Sequence, residues 1–360
     1  MPHEGDELWT SPPADASRRP QAGPSLDVGT DVRQALAAGH LEVPLPLIGQ
    51  TGDRWNALRG WGRRDLAFAK LSEAHADAVA ILAEAGRAPV PGALYAVWAS
   101  RSRGSGLVAD VSHAGGVEIS GELRFASGAA LVDRALVTAM SGTDVLLLDL
   151  DVRRARPTVR SGTWQALGMN RVDSPDITVH RTALAAADRV GEVGWYLSRR
   201  GFWAGSLGMV AIWLGALEGV VDTFVAQLSR YEAGPHELAH LGACVTQVQA
   251  LRRTLDRTAE ELDGAPEEDH RMSALVARSL ADFTVTDVLR RTGRALGPVP
   301  LVRDRVHAQR VADLEVWVRQ THAERDLQSI GESFLDLCRD PADPSAAGPP
   351  ADRARSGAAT

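Results

Sequence analysis

The sequence predicts an α+β protein with a short N-terminal helical domain, a middle β-barrel or sandwich domain and a C-terminal four-helix bundle. Three observations carry this. Apolar residues recur at helical spacing between Asp65 and Gly86, where Leu66, Ala69, Leu71, Ala74, Ala78, Ile81 and Leu82 form one stripe. Residues 91–190 change to short runs with period-2 alternation, the mark of half-buried strands. From Gly201 onward the helical period returns and persists to Leu337.

In chain order, residues 1–25 hold five prolines and almost no large apolar side chain, so they read as a disordered tail. The helical domain spans 26–90, with a helix over Leu26–Ala38, a Pro/Gly stretch over Pro44–Gly52, and the strong helix that Gly86 and Pro89 stop. The β domain spans 91–190. Its expected strands are Leu94–Ala99, Val117–Phe125, Ala135–Ala139, Val145–Val152, Trp164–Asn170 and Asp176–His180. Small residues (Ala126, Ser127, Gly128, Ala129) lie between two of them, where a flat ligand can approach the backbone. The bundle spans 191–338. A Gly/Ser-rich turn (Gly205, Ser206, Gly208) leads into a helix marked by Met209, Ile212, Leu217 and Phe224, and further helices are expected at His236–Leu262, Met272–Arg294 and Asp304–Leu337. Residues 339–360 read as a second disordered tail.

Composition bounds the function. With 44% apolar and 24% charged residues among 360, the chain is globular. A net charge of −7 argues against a duplex-binding face. Two cysteines, Cys244 and Cys338, make neither a disulfide framework nor a zinc-ligand set. No leader and no membrane-spanning run is apparent, and a cytoplasmic protein is expected.

The stretch Gly115–Ala139 resembles the flavin-contacting strand of the acyl-CoA dehydrogenases, "L-x-G-x-K-x-W-I-T-N-A … D-x-x-L-V-x-A", through Ile119, Gly121, Arg124, Phe125, Ser127, Gly128, Ala129, Asp133, Leu136, Val137 and Ala139. The resemblance implies that Phe125 packs near the flavin and that the Ser127 hydroxyl bonds its edge. A second stretch resembles the family's "Y-x-V-T-E-P-x-x-G-S" turn. Tyr95 and Val97 match, Gly104 and Ser105 match with one residue inserted, and Trp98 and Ala99 replace the threonine and glutamate. The replaced threonine normally bonds the flavin ring. Leu167, Gly168, Ile177 and Val179 resemble anchors of the family's closing hairpin. The resemblance covers roughly residues 45–337 as an arrangement and is specific in the middle third, the N-terminal domain being shortened.

It implies an FAD-dependent oxidoreductase acting on an acyl thioester or related small molecule, and a homodimer or homotetramer. FAD would lie on Tyr95, Val97, Trp98, Ser105, Phe125 and Ser127, with Arg230 standing loosely for the arginine on its diphosphate. Of the "Q-x-x-G-G" turn only Gly293 and Gly297 remain. Arg303 and Asp304 match the family's "R-D" pair, but the catalytic "Y-E-G-T" glutamate is absent, and the nearest proton-transfer candidates are His322 and Glu324 in THAERD. A histidine there resembles the family's hydroxylase branch, which works with a flavin reductase or electron-transfer partner. The bland reading makes the charges around His322 helix-surface ion pairs.

Two other classes stand beside these. HELAH, 236–240, matches the H-E-x-x-H zinc-peptidase signature, but Gly234 and Pro235 put its first histidine in a frayed first turn. No metal site is therefore expected. A non-catalytic partner subunit of the same fold is the last alternative.

Overall fold

The computed structural model describes residues 27–100, 104–112 and 115–338. The two tails expected at 1–25 and 339–360 lie outside them.

Helix α1, Val28–Ala37, starts where the Asp27 carboxylate accepts the Thr30 N–H at 2.9 Å. The next helix, α2 (Thr51–Arg64), fills the residues between the Pro44–Gly52 stretch and the helix expected from Asp65, where the sequence suggested no element. Its glycines disguise it, since each lowers helix propensity. One of them, Gly62, is there for packing. A Cβ on Gly62 would lie well inside 3.0 Å of the Ile212 carbonyl, and one on Gly215 would meet the Arg59 carbonyl as closely. The two backbones cross almost in contact. Helix α3, Leu66–Glu84, begins at Asp65, whose carboxylate accepts the Phe68 N–H at 3.0 Å, and matches its expected span within two residues at each end.

The β region contains β1 (Tyr95–Trp98), β2 (Gly106–Val111), β3 (Val117–Leu123), β4 (Arg134–Ser141), β5 (Asp144–Asp151), the short helix α4 (Val152–Ala155), β6 (Thr158–Arg160) and β7 (Asp176–Leu184). They join one mixed sheet in the order β1-β4-β2-β3-β7-β6, with β5 also on β4. β4 carries β1 alongside residues 134–137 and β2 at 139–140, both parallel, while β5 runs antiparallel to it. β3 and β4 therefore never pair, because β2 stands between them. Trp164–Asn170 is a loop rather than a strand. It folds back on itself, with Trp164 Nε1 donating to the Met169 carbonyl at 3.2 Å.

After a 3-10 turn (Ala186–Asp188) and the short helix α5 (Trp195–Ser198), α6 runs Gly201–Leu228. Gly205, Ser206 and Gly208 lie inside this helix rather than in a turn before it. A Cβ on Gly205 would come within 2.8 Å of Asp77 Oδ1, so here too glycine marks a close approach. Among the described residues, α6 is the one helix long and apolar enough to cross a bilayer, but 72% of its most apolar window is buried inside the protein. Helices α7 (Pro235–Gly264), α8 (Arg271–Leu296), α9 (Val299–Arg303), α10 (Arg305–Trp317) and α11 (Glu324–Cys338) complete the chain. The single helix expected over Asp304–Leu337 is broken. A 3-10 turn covers Val318–Gln320, Thr321 is extended and Ala323 has φ 42°. The break turns Asp326 inward to pair with Arg278 at 3.3 Å.

One core runs from α1 through the sheet into the bundle, with Trp213, Phe224 and Trp317 among its largest buried side chains. A smaller core of Ile81, Leu82, Tyr95, Leu136, Leu147 and Val190 fills the other face of β1.

Candidate functional site

The alternation of β1 separates the residues expected at the flavin. Tyr95 and Val97 point into the smaller core, and Trp98 points the other way. Tyr95 is wholly buried. Its backbone N–H donates to His75 Nδ1 at 3.2 Å, and its hydroxyl accepts the Val90 N–H at 3.0 Å. It supports the strand from behind.

Burial pushes the His75 imidazole down to about 4, so the ring is neutral at physiological pH and free to accept from Tyr95. A histidine whose pKa is lower folded than unfolded binds more protons unfolded. The stability it contributes is therefore present above pH 6.5 and is lost as pH falls from 6.5 toward 4. At 1.36 kcal/mol per unit, this amounts to about 3 kcal/mol. His75→Gln is expected to flatten the denaturant-midpoint profile across that pH window.

Trp98 meets Ser127 directly, its Nε1 donating to the Ser127 carbonyl at 3.1 Å. The Ser127 hydroxyl shares a 2.9 Å hydrogen bond with the Ser174 hydroxyl. Phe125 beside it is 52% exposed with φ 60°, an uncommon conformation for a bulky residue. Its ring stands edge-on to Trp164, with centroids 6.5 Å apart. The backbone holds this geometry: Ala126 N–H donates to the Pro175 carbonyl at 2.9 Å and Gly128 N–H to the Asp173 carbonyl at 3.1 Å. Residues 125–128 and 172–175 thus form one unit.

That unit is fastened to the bundle. Gly168 lies so close to the Ala312 carbonyl of α10 that a Cβ would fall well inside 3.0 Å. Met169 N–H donates to Asp313 at 2.5 Å, and Arg171 bridges Asp65 at 2.7 Å and Asp313 at 3.5 Å. Asp313 is almost completely buried. Burial pushes its carboxyl up, and the Met169, Gln309 and Arg171 donors oppose the shift. The result is a seam between sheet and bundle bordered by Trp98, Phe125, Ser127, Trp164 and Ser174.

The remaining sequence candidates are placed elsewhere. Ser105 is half-buried at the head of β2 and lines a cavity of about 140 Å³ with Thr138 and Met140. Arg230 is exposed beyond the end of α6 and donates to Gln227 at 3.1 Å. His322 sits at the break before α11, its Nδ1 3.4 Å from Asp326. Burial and Arg278 lower its pKa, and Asp326 opposes them. Glu324 is exposed on the first turn of α11. In HELAH, Glu237 accepts the Gly234 N–H at 2.7 Å and the Tyr231 hydroxyl at 2.7 Å, which makes it the cap of α7. Among the described residues, no three His, Cys, Asp or Glu side chains gather as a metal site.

No family model matches the chain, and no curated protein does. Solved structures do. The FMN-bound form of TdsC from Paenibacillus sp. A11-2, a dibenzothiophene monooxygenase, aligns with a TM-score of 0.69 at 18% identity, over 88% of this chain and 98% of that one. Butyryl-CoA dehydrogenase from Megasphaera elsdenii aligns with a TM-score of 0.68 at 14% identity, over 87% of this chain and 90% of that one. The chain has the acyl-CoA dehydrogenase fold. A nitrososynthase from Micromonospora carbonacea var. africana shares it, with a TM-score of 0.72 at 16% identity over 88% and 98% of the two chains. Within the acyl-CoA dehydrogenase fold this is a diverged sequence, and one arrangement supports monooxygenases and dehydrogenases alike.

A flavin ring placed at the seam would meet two kinds of residue. Phe125, Ser127 and Ser174 offer an aromatic edge and two hydroxyls, which suit such a ring. Trp98 does not: its indole already fills the space up to the Ser127 carbonyl. Sequence reasoning missed Ser174, Trp164, Arg171 and Asp313. Arg171 and Ser174 lie in the stretch after Gly168 that resembles the family's closing hairpin, and the partners in α10 have no sequence-local signal.

Proposed function

We propose that the protein is a flavin-dependent oxidoreductase that uses the seam between sheet and bundle, with FAD as the cofactor and an acyl thioester or related small molecule as substrate. The single observation that carries the reading is Phe125, held half-exposed in a left-handed backbone conformation beside two serine hydroxyls. A bulky residue at positive φ costs of order 1–3 kcal/mol, and such strain persists where the surrounding structure fixes it, often at a ligand site. The chemistry of electron transfer belongs to the cofactor; the chain's own residues position it and handle protons. His322 or Glu324 is proposed for the proton step.

The monooxygenase reading, with flavin delivered by a reductase partner, is favoured by one observation. Glu324 is exposed to solvent, whereas a carboxylate base for α-proton removal works in a dry pocket. The likeness to TdsC, a monooxygenase with 98% of its chain covered, fits the same branch. Self-association fits the apolar residues that α11 leaves exposed (Leu327, Phe334, Leu335 and Leu337) and the free thiols of Cys244 and Cys338 fit a reducing cytoplasm.

The test is anaerobic titration of the flavin-loaded protein with acyl thioesters, followed by oxygen-uptake assays with reduced flavin. Bleaching by a thioester identifies a dehydrogenase. Substrate-dependent oxygen consumption identifies a monooxygenase. Failure to bind FMN or FAD in either redox state overturns the oxidoreductase reading and leaves a partner subunit.

A further inference from the structure

We propose that the indole of Trp98 is a plug: it occupies the seat of the flavin ring's polar edge, and flavin enters only when the indole is displaced. The inference rests on the flavin reading above. Positions 98 and 127 are two that the resemblance puts on the ring, the first through a threonine that Trp98 replaces here. In this protein the two positions touch, Trp98 Nε1 lying 3.1 Å from the Ser127 carbonyl oxygen. A hydrogen bond of that length leaves no room for a third group between its partners.

The closed arrangement is well satisfied. Trp98 is 3% exposed, packed in the main core, and its N–H has the partner that a buried indole requires. The Ser127 hydroxyl is likewise engaged, with Ser174. The backbone at Ser127 is held by its neighbours. Gly128, next to it, has φ 68°, donates its N–H to Asp173 and lies so close to α3 that a Cβ would come within 2.8 Å of Leu71 Cδ1's geminal partner, Cδ2. Of the two partners the Ser127 carbonyl is backbone and the indole is a side chain, so opening the seat requires the indole to turn about its Cα–Cβ bond. A seat that is mostly closed reduces apparent affinity by the fraction of molecules in which it is open. The protein then holds flavin as a weakly bound, exchangeable ligand, as a reductase-fed enzyme requires.

The experiment is a fluorescence-quenching titration of wild type, Trp98→Thr, Trp98→Leu and Trp98→Phe with FMN and with FAD. Circular dichroism establishes that each variant is folded, and Trp98→Leu carries the comparison if Trp98→Thr does not fold. The expected result is at least tenfold tighter binding when threonine or leucine replaces the indole, with phenylalanine, which keeps most of the bulk, showing a smaller gain. Measurable binding that is equal in all four proteins overturns the plug and leaves the flavin reading intact. No binding by any of them overturns both.

Discussion

Gly215→Ala is expected to cost about 3 kcal/mol or more of folding stability, a large effect for one methyl group. The methyl has nowhere to go. The Arg59 carbonyl and the Arg63 backbone nitrogen of α2 both lie within 3.0 Å of where it would stand, and Gly62 meets Ile212 of α6 in the reciprocal way. Backbone cannot yield as the end of a flexible side chain can, so the helices must separate. The core beneath Leu58, Trp213 and Leu214 would then lose its packing. Gly60 is the control, since nothing lies within 4 Å of its Cβ position. Gly60→Ala should stabilise α2 by roughly 0.5–1 kcal/mol, the ordinary gain of replacing a mid-helix glycine. Guanidinium unfolding of the two variants measures the contrast, and equal midpoints would contradict the crossing.

Asp313→Ala is expected to cost about 3–5 kcal/mol, the range for removing one member of a buried ion pair. Asp313 receives the Met169 N–H and the Gln309 amide and faces Arg171, so its loss strands three donors near the seam. Arg171 keeps Asp65 at 2.7 Å, which places the cost toward the lower end. Asp313→Asn keeps an acceptor for Met169 and should fall between the two proteins. The loss should be local as well as global. Limited proteolysis is expected to cut the Trp164–Pro175 loop of Asp313→Ala well before wild type, because this loop depends on α10 for its position. Equal cleavage would show that Gly168 alone holds it.

These two sites also show what the sequence discloses. Helix α3 and the strands β1, β3, β4 and β5 were legible because their apolar periods are determined by the face they bury. α2 was not, because its glycines lower helix propensity, although one of them, Gly62, serves a backbone contact 150 residues away. The loop at Trp164–Asn170 looked like a strand for the opposite reason: Gly168 and Met169 serve a closed turn against α10, and nothing local announces that partner. The long C-terminal helix broke at Thr321–Ala323 because Asp326 answers Arg278 across the bundle. Trp98 and Ser127 come from two separate patterns and touch through one hydrogen bond, whereas Tyr95 and Val97 share a strand with Trp98 but face away. A motif names neighbours in sequence, and the pleat decides which of them share a face. HELAH is the clearest case of a pattern with another cause, its glutamate capping a helix.

The central claim is that the seam at Phe125 and Ser127 receives a flavin. Equilibrium dialysis with FMN and FAD, each oxidised and reduced, tests it most directly, comparing wild type with Phe125→Ala and Ser127→Ala. Saturable binding of at least one of these flavins at one site per chain, weakened in both variants, is the predicted result. Binding that is unchanged in both variants would place the flavin elsewhere, and no binding in any form would contradict the account.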